Sequence, residues 1–310
     1  MTTTRFRIGT RGSPLALWQA HTVRDLLIAR HGLTQDDIEI VDVKTTGDKV
    51  TDRRLAEIGG KGLFTKELET ALDAGTVDCA VHSLKDVPTF LPDGMVLAAY
   101  LEREDPRDAL IAGPVRSLED LPAGARLGTA SMRREAIVRS LRPDIDVVLL
   151  RGNVGTRLKK VADGEIDAAI LAHAGLIRLG ISEPVSAVLD PDRFLPAVGQ
   201  GIVAVEIRAD DHRARDLVSA IDVPASAAAA RAERAFLATL DGSCQSPISG
   251  HATLDADALA FTGWLMTHDG TERGEASEGG SASDPEAVGK AAAERILSGA
   301  NARLLAVLED

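Results

Sequence analysis

The sequence has few aromatic residues and only two cysteines. Aromatic side chains make up 3% of the 310 residues, so the core must be built from Ala, Val, Leu and Ile. The same scarcity argues strongly against a base-stacking platform for single-stranded nucleic acid. Two cysteines, Cys79 and Cys244, are too few for a disulfide framework or a four-cysteine metal site.

Long apolar runs and an excess of positive charge are also missing. No stretch approaches the roughly 18 apolar residues of a membrane span, and the first residues, MTTTRFR, lack the apolar run of a signal peptide. The chain has 35 Lys and Arg against 47 Asp and Glu, a formal charge of −12. This balance disfavours binding to duplex DNA or anionic membranes. We therefore expect a cytoplasmic enzyme or binding protein without nucleic-acid or membrane partners.

Nucleotide and metal motifs are absent as well. The segment GGKGL at 59–63 lacks the Ser or Thr and the glycine spacing of a P-loop, and no G-x-G-x-x-G stands in a strand–helix turn. The seven histidines include no pair at i,i+3 or i,i+4 spacing, so we expect no metal centre.

Short β-branched runs alternate with segments of helical periodicity, which is typical of α/β architecture. Strands are predicted at 5–9, 38–44, 77–82, 95–100, 109–112, 126–129, 147–150, 168–172 and 202–207, and helices at 16–30, 64–74, 133–141 and 156–163. After residue 224 the pattern changes to an Ala-rich helix at 225–240, short strands, a polar loop at 278–284 and a closing helix from about 285. We interpret this last part as a smaller α+β unit.

Positive charge is concentrated between residues 126 and 160, which hold nine Lys or Arg against three acids. Arg133 and Arg134 fall in the first turn of a helix whose predicted N-cap is Ser131, and Arg157 opens the next helix. The helix dipole disfavours cations at these positions and favours bound anions. Because phosphate motifs are missing, we expect carboxylate ligands. A solvated helix face with ordinary salt bridges is the alternative, and we prefer it for Arg139, Arg142, Lys159 and Lys160.

Three further segments carry candidate residues. Arg11 and Ser13 follow the first strand, where ligands of α/β sheets collect, although Ser13 is also explained as a helix N-cap. Lys85 and Asp86 follow a buried strand, and alone they would be typical of a surface turn. Of the two cysteines, Cys79 lies in an apolar strand, whereas Cys244 lies in a polar loop and is the better candidate for covalent chemistry.

Taken together, the motifs identify a resemblance that covers essentially the whole chain. The chain resembles the porphobilinogen deaminase family in eight segments: TRGSPLALWQA (10–20), GGKGLF (59–64), AVHSLKDVP (80–88), EREDPRD (102–108), GTASMRR (128–134), LRGNVGTR (150–157), LPAVGQG (195–201) and GSCQ (242–245). Their order and spacing also fit.

This resemblance implies an α/β fold of three domains. Two lobes with mixed sheets are expected to be similar to type II periplasmic binding proteins, and a small α+β C-terminal domain carries the cofactor. The expected bounds are 1–101 with 202–220 for the first lobe, 102–201 for the second, and 224–310 for the third domain. A monomer is expected.

The resemblance also implies the activity. Four porphobilinogen molecules are joined head to tail, with loss of ammonia, onto a dipyrromethane held by a thioether at Cys244, and hydrolysis releases hydroxymethylbilane. Asp86 matches the catalytic aspartate, which stabilises the cationic pyrrole nitrogen of the azafulvene. The residues expected to hold the cofactor, besides Cys244, are Lys85, Ser83, Ser131, Arg133, Arg134, Thr129, Gly152 and Arg157. Those expected to bind substrate are Arg11, Ser13, Arg151, Arg178, Gln200, Lys61 and Phe64.

Two other functions are alternatives to this enzyme. A non-catalytic, two-lobed protein that binds a small anion would share the architecture, but it would not need the third domain with Cys244. A transcriptional effector-binding module would need a DNA-binding segment, and neither end of this acidic chain has a helix-turn-helix pattern.

Overall fold

The computed structural model describes residues 5–46, 62–241 and 246–309. Within these ranges the strands are β1 (Phe6–Thr10), β2 (Ile38–Asp42), β3 (Cys79–Ser83), β4 (Met95–Tyr100), β5 (Asp108–Ile111), β6 (Arg126–Thr129), β7 (Asp146–Leu149), β8 (Ala168–Ala172), β9 (Ala187–Val188), β10 (Val203–Arg208), β11 (Ile248–Asp255), β12 (Ala258–Met266) and β13 (Arg273–Ser281). The α-helices are α1 (Pro14–His31), α2 (Lys66–Asp73), α3 (Met132–Leu141), α4 (Val154–Ala162), α5 (His173–Arg178), α6 (His212–Val218), α7 (Pro224–Thr239), α8 (Pro285–Gly299) and α9 (Ala302–Ala306).

Two five-stranded mixed sheets share one topology. The first has the order β2-β1-β3-β10-β4 and the second β7-β6-β8-β5-β9. In each sheet the first three strands pair in parallel. The fourth position is held by a strand that runs antiparallel to both neighbours, β10 in the first sheet and β5 in the second. The chain therefore leaves the first lobe after β4, builds the second sheet, and returns through β10.

Local sequence explains how α1 and α3 begin. Ser13 caps α1, its Oγ accepting a hydrogen bond from the Ala16 N–H at 3.3 Å, and Pro14 takes the first helical position. Ser131 caps α3 in the same way through the Arg134 N–H. Both caps confirm predictions from the sequence. They fix the loops that follow β1 and β6 at the carboxyl ends of parallel strands.

The three-stranded antiparallel sheet β11-β12-β13 packs against α7 and α8. Its core includes Phe236 and Phe261, whose ring centroids lie 4.8 Å apart. The end of β12 also reaches the second lobe, because Trp264 and Met266 are buried in that lobe's core. The third unit therefore shares a continuous packed interface with the second lobe.

The expected fold class of two mixed-sheet lobes and a small α+β unit is confirmed by these sheets. The prediction of a polar loop at 278–284 was wrong in its first half, since β13 continues to Ser281. Backbone pairing with β12 stabilises this exposed Gly-rich edge strand. Because backbone pairing does not depend on side-chain type, the sequence pattern did not indicate a strand here. The two-residue strand β9 was missed. Among the described residues, none of the helices has the length and hydropathy of a membrane span.

Close packing of α7 against α8 gives a test of the third unit. A Cβ on Gly289 would collide with the backbone carbonyl of Ala232. We expect Gly289→Ala to lower the free energy of unfolding by about 1–3 kcal/mol through overpacking, measured by calorimetry. Gly299→Ala is the matched control, because a Cβ there meets no atom within 4 Å. Equal stability of the two variants would contradict the described helix packing.

Candidate active site

A pocket opens beside the carboxyl end of β3 in the first lobe. Asp86 reaches it from a short 3₁₀ turn, Leu84–Asp86, that continues directly from the strand. Five residues predicted from the sequence line this pocket: Arg11, Ser13, Phe64, Ser83 and Asp86. The structure therefore brings together the segments 10–20, 62–64 and 80–88, which are far apart in the chain.

Arg11 and Ser83 are each held by a neighbour in the pocket. The Arg11 guanidinium lies over the Phe64 ring, with its carbon 4.1 Å from the ring centroid, a cation–π geometry. Ser83 Oγ accepts a hydrogen bond from Gln19 Nε2 at 2.8 Å. These contacts hold a cation and a hydroxyl in place on the pocket wall.

The second lobe contributes a fully buried carboxylate, Asp108, at the start of β5. Its Oδ2 accepts from Arg133 Nη2 at 2.7 Å, and its Oδ1 accepts from Arg134 Nε and Nη2 at 3.1 and 2.8 Å. Gln200 Nε2 donates to Oδ1 at 3.0 Å. Burial acts to raise the pKa of Asp108, but the charges of Arg133 and Arg134 overcome this and lower it to about 2.

The cationic first turn of α3 is thus partly neutralised within the protein. Arg133 and Arg134 are buried and point at Asp108, so their position near the helix N-terminus does not by itself require an external anion. Two guanidinium groups share one carboxylate, however, which leaves a net positive charge there. Arg133 Nε is also buried without a hydrogen-bond partner among the described residues. Thr129 Oγ1 accepts from the Ser131 N–H at 3.1 Å and orders the same loop.

Gln200 connects this cluster to the first lobe. Its Oε1 accepts from Lys85 Nζ at 3.3 Å while its Nε2 donates to Asp108. Burial, with repulsion from Arg134, lowers the pKa of Lys85 to about 8. A nearby negative charge would stabilise this buried ammonium, so Lys85 is suited to binding a carboxylate ligand.

Arg157 brings further positive charge from α4. Burial lowers its pKa to about 10, repulsion from Arg134 and Arg151 adds to this, and attraction to Asp86 opposes it. Its Nε donates to the Gly152 carbonyl at 2.8 Å. Gly152 has φ 113°, a conformation that L side chains rarely adopt. This glycine turn places the carbonyl that orients Arg157.

Arg178 stands apart from this cluster, at the point where the chain returns to the first lobe. Its Nη2 donates to the Gly201 carbonyl at 2.7 Å, and its guanidinium carbon lies 5.5 Å from the Trp18 ring centroid. Two predicted site residues, Lys61 and Cys244, lie outside the described residues.

Sequence reasoning gave no site role to several residues that organise this region. Asp108 and Gln19 are buried polar side chains in apolar elements, and that mismatch is the signal that could have drawn attention to them. His82 contacts the buried Glu206, a partner 124 residues away that no local pattern reveals. The four cations interpreted as ordinary surface charges form local ion pairs, Arg139 with Glu135, Arg142 with Asp144, Lys159 with Asp163 and Lys160 with Glu165.

Removing the Asp108 charge should destabilise the protein. We expect Asp108→Asn to cost about 3–5 kcal/mol, because it leaves two buried guanidinium groups without a counter-ion. The folded pKa of about 2 lies below the ordinary value of about 3.9. The stabilisation is therefore complete above pH ~3.9 and is lost as the pH falls toward ~2.

Unfolding measured between pH 7 and pH 2 checks this expectation. The difference in stability between wild type and Asp108→Asn should shrink below pH ~4. Asp146→Asn, at an exposed aspartate, is the control and should resemble wild type. A difference that stays constant with pH would contradict the role of the Asp108 carboxylate.

Comparison with known proteins places the chain in a family. A sequence model described as "Porphobilinogen deaminase, dipyromethane cofactor binding domain" matches residues 6–216, and one described as "Porphobilinogen deaminase, C-terminal domain" matches residues 227–298. Among curated relatives, the porphobilinogen deaminases of Nitrobacter winogradskyi and Nitrobacter hamburgensis are 54% and 52% identical over 289 residues, which is 93% of this chain and 92% of each relative.

Solved structures give a weaker likeness. The periplasmic VFT2 domain of Bordetella pertussis BvgS has a TM-score of 0.41 at 16% identity, covering 70% of this chain and 86% of that one. A TRAP periplasmic solute binding protein from Pseudomonas putida F1, with bound D-glucuronate, has a TM-score of 0.39 at 12% identity and covers 70% and 77%. The two sequence models and the curated relatives together establish that the chain belongs to the porphobilinogen deaminase family.

Proposed function

We propose that the cleft beside Asp86 joins four porphobilinogen molecules head to tail onto a dipyrromethane and releases hydroxymethylbilane. The observation that carries the assignment of roles is that one carboxylate, Asp86, interacts with a cation from each lobe. Lys85 lies next to it in the chain, and Arg157 is attracted to it across the cleft. Each pyrrole unit carries an acetate and a propionate, so a growing chain needs such an excess of positive charge.

The side chains present fit a dipyrromethane cofactor. Arg133 and Arg134 share the single carboxylate of Asp108, and Arg133 Nε is a buried donor without a described partner. Lys85 and Arg157 hold their charges despite burial that lowers both pKa values. These donors, with Ser83, Thr129, Ser131 and Gly152 nearby in the loops, would hold the acetate and propionate groups. When bound, the cofactor supplies the free ring carbon that forms the first new bond.

Asp86 supplies the negative charge for the reaction. Loss of ammonia from porphobilinogen leaves a cationic pyrrole nitrogen, and a carboxylate fixed beside it lowers the energy of that cation. Arg11, Ser13 and Phe64 line the same pocket and would bind and orient the incoming substrate. Arg151, Arg178, Gln200 and Lys61 complete the proposed set of substrate contacts.

We assign the cofactor attachment to Cys244 by the chemistry of the two thiols. Cys79 is fully buried in β3, and burial strongly raises the pKa of its thiol. A thiolate is the reactive form of cysteine, so Cys79 is unsuited to forming a thioether.

The expected domain bounds, a cytoplasmic monomer and the absence of nucleic-acid partners form part of this proposal. A non-catalytic anion-binding protein is not favoured, because it has no use for Asp86 among the cations.

Replacement of Asp86 tests the proposed role directly. We expect Asp86→Asn to lower turnover about 100- to 1000-fold, as when a charge-stabilising group is removed from an active site. The measurement is the rate of tetrapyrrole formation from porphobilinogen. Asp93→Asn, at an exposed aspartate, should retain wild-type turnover. Near-normal turnover in Asp86→Asn would remove Asp86 from its assigned role.

Replacing each cysteine in turn tests where the cofactor is attached. Intact mass spectrometry of wild type should show a mass above that of the sequence, with the excess mapped to Cys244. Cys79→Ala should keep this excess and Cys244→Ala should lose it. An excess that persists in Cys244→Ala would refute the attachment site.

A further inference from the structure

A histidine–glutamate pair on the wall of the Asp86 pocket has no part in the function proposed above. His82 on β3 and Glu206 on β10 lie on adjacent antiparallel strands. The His82 Nε2 and Glu206 Oε2 atoms are 2.9 Å apart, with side-chain exposures of 3% and 0%. His82 lines the same pocket as Ser83 and Asp86. The His82 imidazole therefore forms part of the pocket wall, and the buried Glu206 carboxylate contacts its Nε2 atom.

Two charged side chains lie near Glu206, one acidic and one basic. Glu69 on α2 is the neighbouring acid, and its pKa is raised mainly by burial and further by Glu206. Glu69 consequently binds a proton more readily than a surface glutamate does. Arg234 on α7 is attracted to Glu206. Of the two neighbouring acids, Glu206 is the one within hydrogen-bond distance of His82.

The hydrogen bond between Glu206 and His82 selects one tautomer of the imidazole ring. A carboxylate accepts from Nε2–H, which leaves Nδ1 with a lone pair. In the described parts of the chain, no residue is hydrogen-bonded to His82 Nδ1. A buried carboxylate behind an imidazole both fixes this tautomer and stabilises the imidazolium that forms when the ring takes up a proton.

We propose that His82 is the base that accepts the proton lost from the terminal pyrrole ring in each round of elongation, with Glu206 as its positioning residue. This inference rests on the proposed function. It separates two tasks in the pocket: Asp86 stabilises the cationic nitrogen, and His82 removes the proton. General bases of this kind contribute about 10²–10⁴-fold to a rate.

The proposed step balances without a further reactant. When a substrate unit joins the chain, the ring carbon that forms the new bond must lose its hydrogen. The C–H bond breaks, its electron pair returns to the ring, and the proton bonds to Nδ1 of His82. The ammonia lost from the substrate's aminomethyl group then takes this proton, so ammonium leaves and His82 is neutral again.

The form of the ring is tested without measuring activity. Nitrogen-15 NMR of histidine-labelled holoenzyme, with the His82 signals assigned by their loss in His82→Gln, should show Nε2 protonated and Nδ1 bare at neutral pH. Glu206→Gln should lose part of this preference, because a glutamine amide can also donate to Nε2 and so place the ring proton on Nδ1. A proton on Nδ1 at neutral pH, alone or together with one on Nε2, would overturn the proposal.

Deuterated substrate tests the step itself. With porphobilinogen deuterated at its free ring carbon, His82→Gln should turn over about 100-fold more slowly and show a primary isotope effect, because proton removal has become limiting. Glu206→Gln should show the same isotope effect with a smaller loss of turnover, because the base itself is still present. His21→Gln, at an exposed histidine of α1, should match wild type.

Two results would be decisive against His82. One is a His82→Gln enzyme with its cofactor attached and a rate close to wild type. The other is a slow His82→Gln or Glu206→Gln enzyme with no primary isotope effect, which would indicate a purely structural role. Failure of the proposed function is recognised separately, because it would appear as normal turnover in Asp86→Asn whatever His82 does.

Discussion

The site depends on one buried carboxylate, Asp108, that holds two arginines of one helix and a glutamine from a second segment. It lies at the first residue of β5, immediately after the chain enters the second lobe. Without it, Arg133 and Arg134 would be buried cations at a helix N-terminus, where both desolvation and the helix dipole oppose them. The Asp108 contacts therefore stabilise the charged guanidinium groups of Arg133 and Arg134 in a buried part of the cleft.

From Asp108 the hydrogen bonds continue to the first lobe. Gln200 contacts both Asp108 and Lys85, so the segment that returns from the second lobe joins the two cationic regions. Gly199 permits this approach, because a Cβ at that position would lie 2.8 Å from Leu84 Cγ. The two lobes thus present a cleft whose charges are already held in place before any polycarboxylate binds, which lowers the cost of ordering them on binding.

Local features of this fold could be predicted from the sequence, and long-range pairs could not. The caps at Ser13 and Ser131 depend on residues within one turn, and both were predicted. Asp108 lies 25 and 26 residues from the arginines that it binds, and Glu206 lies 124 residues from His82. Such pairs form only once the strands are assembled. The same limit explains β13, whose Gly-rich end is ordered by pairing with β12 and not by its own side chains.

The central claim is that cations from both lobes bind the carboxylates of the cofactor while Asp86 faces its pyrrole nitrogen. A crystal structure of the holoenzyme tests this claim most directly. The account predicts acetate and propionate groups within hydrogen-bond distance of the Lys85 ammonium and the Arg157 guanidinium, and a pyrrole N–H that points at Asp86. Cofactor carboxylates directed into solvent, with Asp86 turned away from both rings, would contradict it.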